Sequence, residues 1–424
     1  MLNSRFYPWV IISMCASLLF YKYILTISPS IMSHELMRQF NINGLQLGNL
    51  AAVFFYVYTI VQICAGLLID KYGVRWLVGL SILAASLGAW LFSLSDSLSM
   101  AVFARGLMGY GIGFATVTYL KMTAVWFKPK QSAFVGGLLA TAVMLGALFG
   151  EAPMAALLDH SSWRFVLEFT SILGLVIAVL FILLVRDRPE TPKQQQSEFS
   201  WSLVWSVLKN KQNWLLTFYS GLAFAPLSVL GGLWGNPFVQ EAYHVSRTET
   251  AALFSLMFVG LGIGSPFFGL CSDRLGKRLP VMKMGVVLSL ISLLFALYAT
   301  NMPIWMLGLC LFLLGFGVGA FMLGFVLGSR INTLALAATV VALINTGDNL
   351  FESITEPFIG KLLDLNWHGQ MMDGIHYFSV DAYQLAFLPL PIYFALALGL
   401  LYFIKEPDIN LSPTLIMPCK DDAV

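Results

Sequence analysis

Apolar runs of roughly 20 residues, separated by short polar or glycine-bearing breaks, recur along the whole chain. At ~1.5 Å per residue, each run is long enough to cross a ~30 Å hydrocarbon layer as a helix. Twelve are predicted, near 8–31, 46–69, 76–95, 98–120, 132–158, 164–185, 214–239, 250–271, 280–300, 303–327, 335–357 and 382–404. The first is too long for a removable leader and lacks a cleavage pattern, so it is expected to stay as a spanning helix. Between the sixth and seventh runs lie Pro189, Pro192, the Gln194 to Gln196 run and an amphipathic stretch from Trp201 to Leu208. That segment reads as a linker with a helix lying on the membrane surface. The expected fold is an all-α membrane protein of 12 transmembrane helices in two pseudo-symmetric six-helix bundles, 1–188 and 214–404, joined by a linker at 189–213 and followed by a tail at 405–424. The polar stretch from Gly360 to Tyr383 is expected to be a loop.

Composition points the same way: 58% of the 424 residues are hydrophobic and 11% charged, against roughly 25% charged in soluble domains. Lipid has to cover the excess apolar surface. With a cytoplasmic N-terminus, about 18 Lys and Arg fall at cytoplasmic positions, including Lys128, Lys130, Arg186, Arg188, Lys209, Lys211, Lys277, Arg278 and Lys283, against four outside, Arg38, Arg164, Arg247 and Lys361. Cytoplasmic loops retain positive charge, so both termini are expected inside. The net charge of +2 then reflects topology and implies no nucleic-acid partner. Predicted external segments are short and carry no N-x-S/T acceptor, which favours a bacterial inner membrane.

Cys15, Cys64, Cys271, Cys310 and Cys419 show no C-x-x-C spacing, and His34, His160, His244, His368 and His376 all fall in segments assigned to outside loops. Neither set makes a metal site or a disulfide framework, and no phosphate loop or nucleophile-base motif points to an enzyme. No cofactor is expected, and a monomer suffices.

The two halves repeat each other. Gly66-Leu67-Leu68-Ile69-Asp70-Lys71-Tyr72-Gly73-Val74-Arg75 returns 203 residues later as Gly269-Leu270-Cys271-Ser272-Asp273-Arg274-Leu275-Gly276-Lys277-Arg278. Gly66 and Gly269 are expected to let helices approach, and Gly73 and Gly276 to permit a tight turn. Asp70 and Asp273 are expected to accept from a helix N-terminus or a nearby cation. Gly109-x-Gly111-x-Gly113 recurs as Gly315-x-Gly317-x-Gly319, and Pro153 with Leu157-Leu158-Asp159 recurs as Pro357 with Leu362-Leu363-Asp364. Small residues of this kind let helices pack closely in lipid.

The repeated loop, G-x-x-x-D-(R/K)-x-G-x-(R/K), resembles the cytoplasmic loop signature of the major facilitator superfamily of secondary transporters. Arg105 ahead of Gly109 resembles that family's fourth-helix signature, and the second half has Leu311 in its place. The resemblance implies alternating access, with Asp70, Lys71, Arg75, Asp273, Arg274, Lys277, Arg278 and their glycines controlling the switch. More narrowly, Tyr21-Lys22-Tyr23 through Ser28-Pro29-Ser30, with Tyr56, Tyr58, Gln62 and Gly66, resembles a bacterial branch related to lysosomal dipeptide transporters and carboxylate-siderophore importers. The chain departs from that branch at Lys22 and Thr26.

Charge inside a span is costly, about 2.5–3.5 kcal/mol on insertion scales, so it should face protein or water. Lys22 lies 15 residues past Tyr7, too deep to snorkel. In the eleventh run Asn345, Asp348, Asn349, Glu352 and Glu356 share one helix face roughly 100° wide. Counted along their helices, Lys22, Asp348 and Arg105 come out at similar depth, with Glu352 and Glu151 about a turn further out. A buried carboxyl without a cation partner readily holds a proton. Asp348 and Glu352, with Glu151, are therefore the expected proton-coupling acids, and Lys22 and Arg105 the groups that attract an anion. Tyr23, Tyr56, Tyr58, Gln62, Tyr119, Trp234, Asn236, Asn345 and Asn349 complete the expected substrate cavity, and Glu356 is expected at the interface.

The expected activity is proton-coupled uptake of an amino acid, short peptide, organic carboxylate or siderophore. A proton-driven efflux antiporter is the first alternative, since Gly137, Gly146, Gly150 and Pro153 approximate an antiporter signature in the fifth run. A membrane sensor or scaffold without transport is the second.

Overall fold

The computed structural model describes residues 6–127, 129–187, 201–299, 301–332, 336–372 and 374–406. Eleven of its helices are long and apolar enough to cross a membrane: Tyr7–Ile31, Gly44–Gly66, Val74–Ser93, Leu98–Trp126, Leu138–Asp159, Trp163–Leu184, Lys211–Tyr243, Arg247–Leu275, Leu279–Tyr298, Ile304–Ile331 and Val380–Leu400. The twelfth, Ala337–Leu365, carries the polar stripe and is too charged to stand out by apolarity alone. It takes its place as the eleventh span. The chain's first and last spans both start or end at one face, the terminal end; the opposite face is the far end.

Each half packs internally, and the halves meet where the second span lies against the eleventh, the fifth against the eighth and the first against the seventh. The repeated glycines decide how closely the bundles close. A Cβ at Gly109 would lie 2.3 Å from the Phe54 carbonyl oxygen, and one at Gly315 would lie 1.8 Å from that of Met257. These are backbone-to-backbone approaches between the fourth and second spans and between their repeats, the tenth and eighth. Both fourth and tenth spans also change winding at the third glycine, at Gly113 and at Gly319.

Several boundaries differ from expectation. The seventh span starts at Lys211 rather than 214, because the Asn210 side chain caps it by accepting from the Gln212 amide at 3.0 Å. The eleventh continues past Pro357 to Leu365, and Gly360 to Tyr383 is no plain loop. Beyond that helix come two short antiparallel strands, Met371–Met372 and Ile375–His376. His376 is thus on a strand, where its ring stacks on Trp367 with centroids 3.8 Å apart. His34 sits on a short helix, Ser33–Phe40, rather than in a loop. A helix runs over Trp201–Lys209. Lys128, Arg188, Pro189, Pro192, the glutamine run, Cys419 and the tail from 407 lie outside the described residues.

Candidate substrate cavity

Near the middle of the spans, between the halves, is a cavity of about 120 Å³. That is room for several waters rather than one. Lys22, Tyr23 and Thr26 of the first span face it, together with Asn345, Asp348, Asn349 and Glu352 of the eleventh and Ser228 of the seventh. Helical spacing puts the eleventh-span groups on one stripe, and the packing of that span against the second turns the stripe inward.

The Lys22 ammonium donates to the Tyr58 hydroxyl at 3.0 Å and lies 4.3 Å from the centroid of the Tyr58 ring and 5.2 Å from that of Tyr23. Aromatic faces attract a cation without neutralising it. Among the described residues no carboxylate comes within 4.0 Å of Lys22. Gln62 extends the network, donating to Tyr58 at 3.3 Å and accepting from Asn345 at 2.9 Å, which ties the second span to the eleventh. Asp348 accepts from Ser220 at 2.6 Å, and Glu352 accepts from Ser228. Both serines come from the seventh span; nothing in their sequence context had marked them.

Arg105 stands apart from this cavity. It is fully buried, its guanidinium 4.8 Å from the Phe54 ring centroid, and it donates to the carbonyls of Leu25 at 2.6 Å and Thr26 at 3.4 Å. The reason is Pro29: without an amide hydrogen it leaves the carbonyl four residues back, that of Leu25, without its helix partner. The Ser28 hydroxyl donates to that carbonyl at 3.0 Å, and Arg105 adds a second donor that ties the turn just after Lys22 to the fourth span. Pro357 likewise frees Ser353, whose carbonyl accepts from the Tyr56 hydroxyl at 3.0 Å. Tyr56 therefore links the halves and is half-exposed rather than a cavity wall. Tyr119 is turned to the Val135 carbonyl at 2.7 Å, also away from the cavity.

Toward the far end a second, buried polar group joins the halves. Asn236 donates to Ser30 at 2.7 Å and to Glu151 at 3.0 Å, all three buried, and the Trp234 indole donates to the Glu356 carbonyl at 3.0 Å. The polar bridges between halves continue outward from there. Arg247 pairs with Glu35, Thr248 donates to Asp159, and Asp364 accepts from the Gly44 and Leu45 amides at 2.9 and 2.8 Å. Asp159 and Asp364 are the equivalent residues of the repeated Leu-Leu-Asp, each reaching the start of a span in the other half. The repeat was visible in the chain; its partners were not. In the hairpin above, Tyr377 donates to Glu241, and that bond, with some burial, pushes the Tyr377 phenol up to about 12.

At the terminal end the repeated loops are looser. Gly73 and Gly276 have positive φ, 79° and 64°, as the tight turn requires. Gly66 and Gly269, expected at close helix contacts, have nothing within 4 Å of where a Cβ would stand. Asp70 pairs with Lys121, while Asp273 lies 4.0 Å from Arg278. The helix N-termini after these loops are held by other acids: Asp187 accepts from the Val74 amide at 2.7 Å, and Glu406 accepts from the Arg278 and Leu279 amides at 2.5 and 3.2 Å. Arg75 donates to the Ile182 carbonyl at 2.7 Å. Lys71 lies 5.0 Å from the centroid of the neighbouring Tyr72 ring, and Arg274 and Lys277 complete the basic ends of these loops.

Polar bridges between the halves at the far end and a central cavity shared by two similar halves define a twelve-span membrane protein built of two bundles. The chain belongs to the Major Facilitator Superfamily, whose family model matches residues 10–236 and 216–414. It is 25% identical over 296 residues to the membrane sensor protein UhpC of Salmonella typhimurium, covering 64% of this chain and 66% of that protein. It is 23% identical over 267 residues to the probable L-galactonate transporter of Escherichia coli, covering 59% of this chain and 58% of the relative. The matches thus span less than two thirds of either relative. In fold it is similar to an inward-facing, occupied bacterial homolog of the human lysosomal transporter Spinster, with a TM-score of 0.76, 14% identity and coverage of 95% and 97% of the two chains.

Proposed function

We propose that this protein is a proton-coupled secondary transporter taking up a small polar or anionic organic solute across a bacterial inner membrane, with both chain ends in the cytoplasm and the far end facing outward. The observation that carries the proposal is Lys22: a cavity-lining ammonium without a carboxylate within 4.0 Å among the described residues, opposite Asp348 and Glu352 from the other half. Such a cation is available to a solute anion. Acids on the opposing half lie where rocking of one half against the other changes their access to water. At 100 mV one positive charge moving inward supplies about 2.3 kcal/mol, roughly fifty-fold accumulation. A relative named for an organic acid, L-galactonate, fits an anionic group on the solute.

Efflux of lipophilic cations is opposed by Lys22 in the cavity. A sensor role is the second reading, favoured by the relative named as a membrane sensor. Proteoliposomes separate these readings. Solute-dependent proton entry, and pH-driven accumulation that Asp348→Asn or Glu352→Gln impairs while counterflow exchange partly survives, is the expected outcome. Unchanged pH dependence in both variants would remove the proton assignment, and a protein that binds solute without flux would be a sensor.

A further inference from the structure

We infer that the solute is an α-amino acid carrying an apolar side chain, bound as its zwitterion; this rests on the uptake reading above and narrows it. The cavity has three chemically distinct walls. The first is a single donor pole, the Lys22 ammonium, the lone cationic side chain among its described lining residues. One ammonium suits one carboxylate, whereas a phosphate dianion calls for several basic groups or a bidentate guanidinium.

The second wall is rich in acceptors. The Asn349 amide nitrogen donates to the Asn345 carbonyl at 2.6 Å and that of Asn345 to Gln62 at 2.9 Å, each keeping one further N–H, against the open side-chain oxygens of both asparagines and the second oxygens of Asp348 and Glu352. A backbone carbonyl can only accept, so the Asn349 side-chain oxygen is not the atom used there. Among the described residues no donor reaches that oxygen, and Asp348 and Glu352 each receive only a single serine hydroxyl. This face of the eleventh span therefore offers acceptors in excess of donors, which an anion alone would leave unsatisfied. A solute ammonium satisfies them. Asp348 with Asn349 is the pole assigned to the ammonium.

The third wall is apolar and comes from the fifth, eighth and tenth spans: Val143, Met144, Phe258, Leu261, Phe321 and Phe325. Sugar hydroxyls laid against such a surface would lose water and gain no partner. A branched or aromatic side chain fits it. Carboxylate, ammonium and apolar body in one small molecule is the composition that uses all three walls at once.

Counterflow into proteoliposomes of the full-length protein tests this with radiolabelled L-leucine and L-phenylalanine. Both are expected to enter. Competing 3-phenylpropionate, which is phenylalanine without its amino group, is expected to act at least ~10-fold more weakly, because a site built to bond a polar group rejects the analogue that lacks it. Galacturonate and glucose 6-phosphate are expected not to compete. In Asp348→Asn the preference for phenylalanine over 3-phenylpropionate should fall toward one; should that variant not fold, the wild-type panel decides alone. Equal competition by 3-phenylpropionate, or exchange only of the hydrophilic anions, overturns the zwitterion assignment and leaves anion uptake standing. Absence of entry by every compound in the panel defeats both.

Discussion

At the scale of single residues, the recurring device is a carbonyl released by proline. Pro29 frees Leu25, which is answered by Ser28 of its own helix and by Arg105 of the fourth span, and Pro357 frees Ser353, which is answered by Tyr56 of the second. Arg105 thereby fastens the backbone beside Lys22 to the fourth span. This is testable as a double-mutant cycle. Ser28 still serves Leu25 when Arg105 is lost, so in a Ser28→Ala background Arg105→Ala should cost about 1–3 kcal/mol more than in the wild type, read from unfolding midpoints in detergent. Strict additivity of the two substitutions would refute the role. In the sequence, Arg105 looked like a ligand because its repeat equivalent is Leu311. The asymmetry was real, but in the fold Arg105 meets the Leu25 and Thr26 carbonyls rather than the cavity, and only the packing of the fourth span against the first brings them together.

At the scale of elements, the far end is closed by helix starts of one half resting on aspartates of the other. Asp364 supplies both oxygens to the first amides of the second span. Glycines make the approach possible, since a Cβ at Gly360 would stand 2.2 Å from the Gly44 oxygen. Loss of a cap of this kind costs roughly 0.5–2 kcal/mol. Asp364→Ala should therefore raise the far-end-open population roughly two- to thirty-fold. The readout is labelling of a cysteine introduced at Ser30, in a variant whose native cysteines are serine, by an impermeant maleimide applied from the far side. An unchanged labelling rate would show that Asp364 is no part of the closure. The Leu-Leu-Asp repeat was legible as symmetry along the chain. Its function was not, because each aspartate acts some 90 to 320 residues away, on Thr248 and on Gly44. The same distance effect hid Asp187 and Glu406 behind the more visible Asp70 and Asp273.

At the scale of the whole molecule, two six-span halves share a central polar cavity, and polar bridges join them at the far end. From the distribution of Lys and Arg, the terminal end is expected in the cytoplasm. A fluorescent protein fused to the C-terminus should glow in bacterial cells, and an alkaline phosphatase fused at the same point should stay inactive. The opposite pair of results would invert the membrane orientation.

The number of spans, their repeat and the membrane class follow from the sequence alone, because hydrophobic length and glycine spacing are local properties that lipid reads directly. The inward-facing stripe of the eleventh span was equally local, since helical periodicity is all it needs. Which charged groups share water was decided only in three dimensions. Lys22, Asp348 and Glu352 meet across the two halves, while Arg105 is drawn off to the carbonyls of Leu25 and Thr26. Depth along a helix sets height in the membrane, but the rotation of each helix against its neighbours sets whether a side chain meets solute, backbone or lipid.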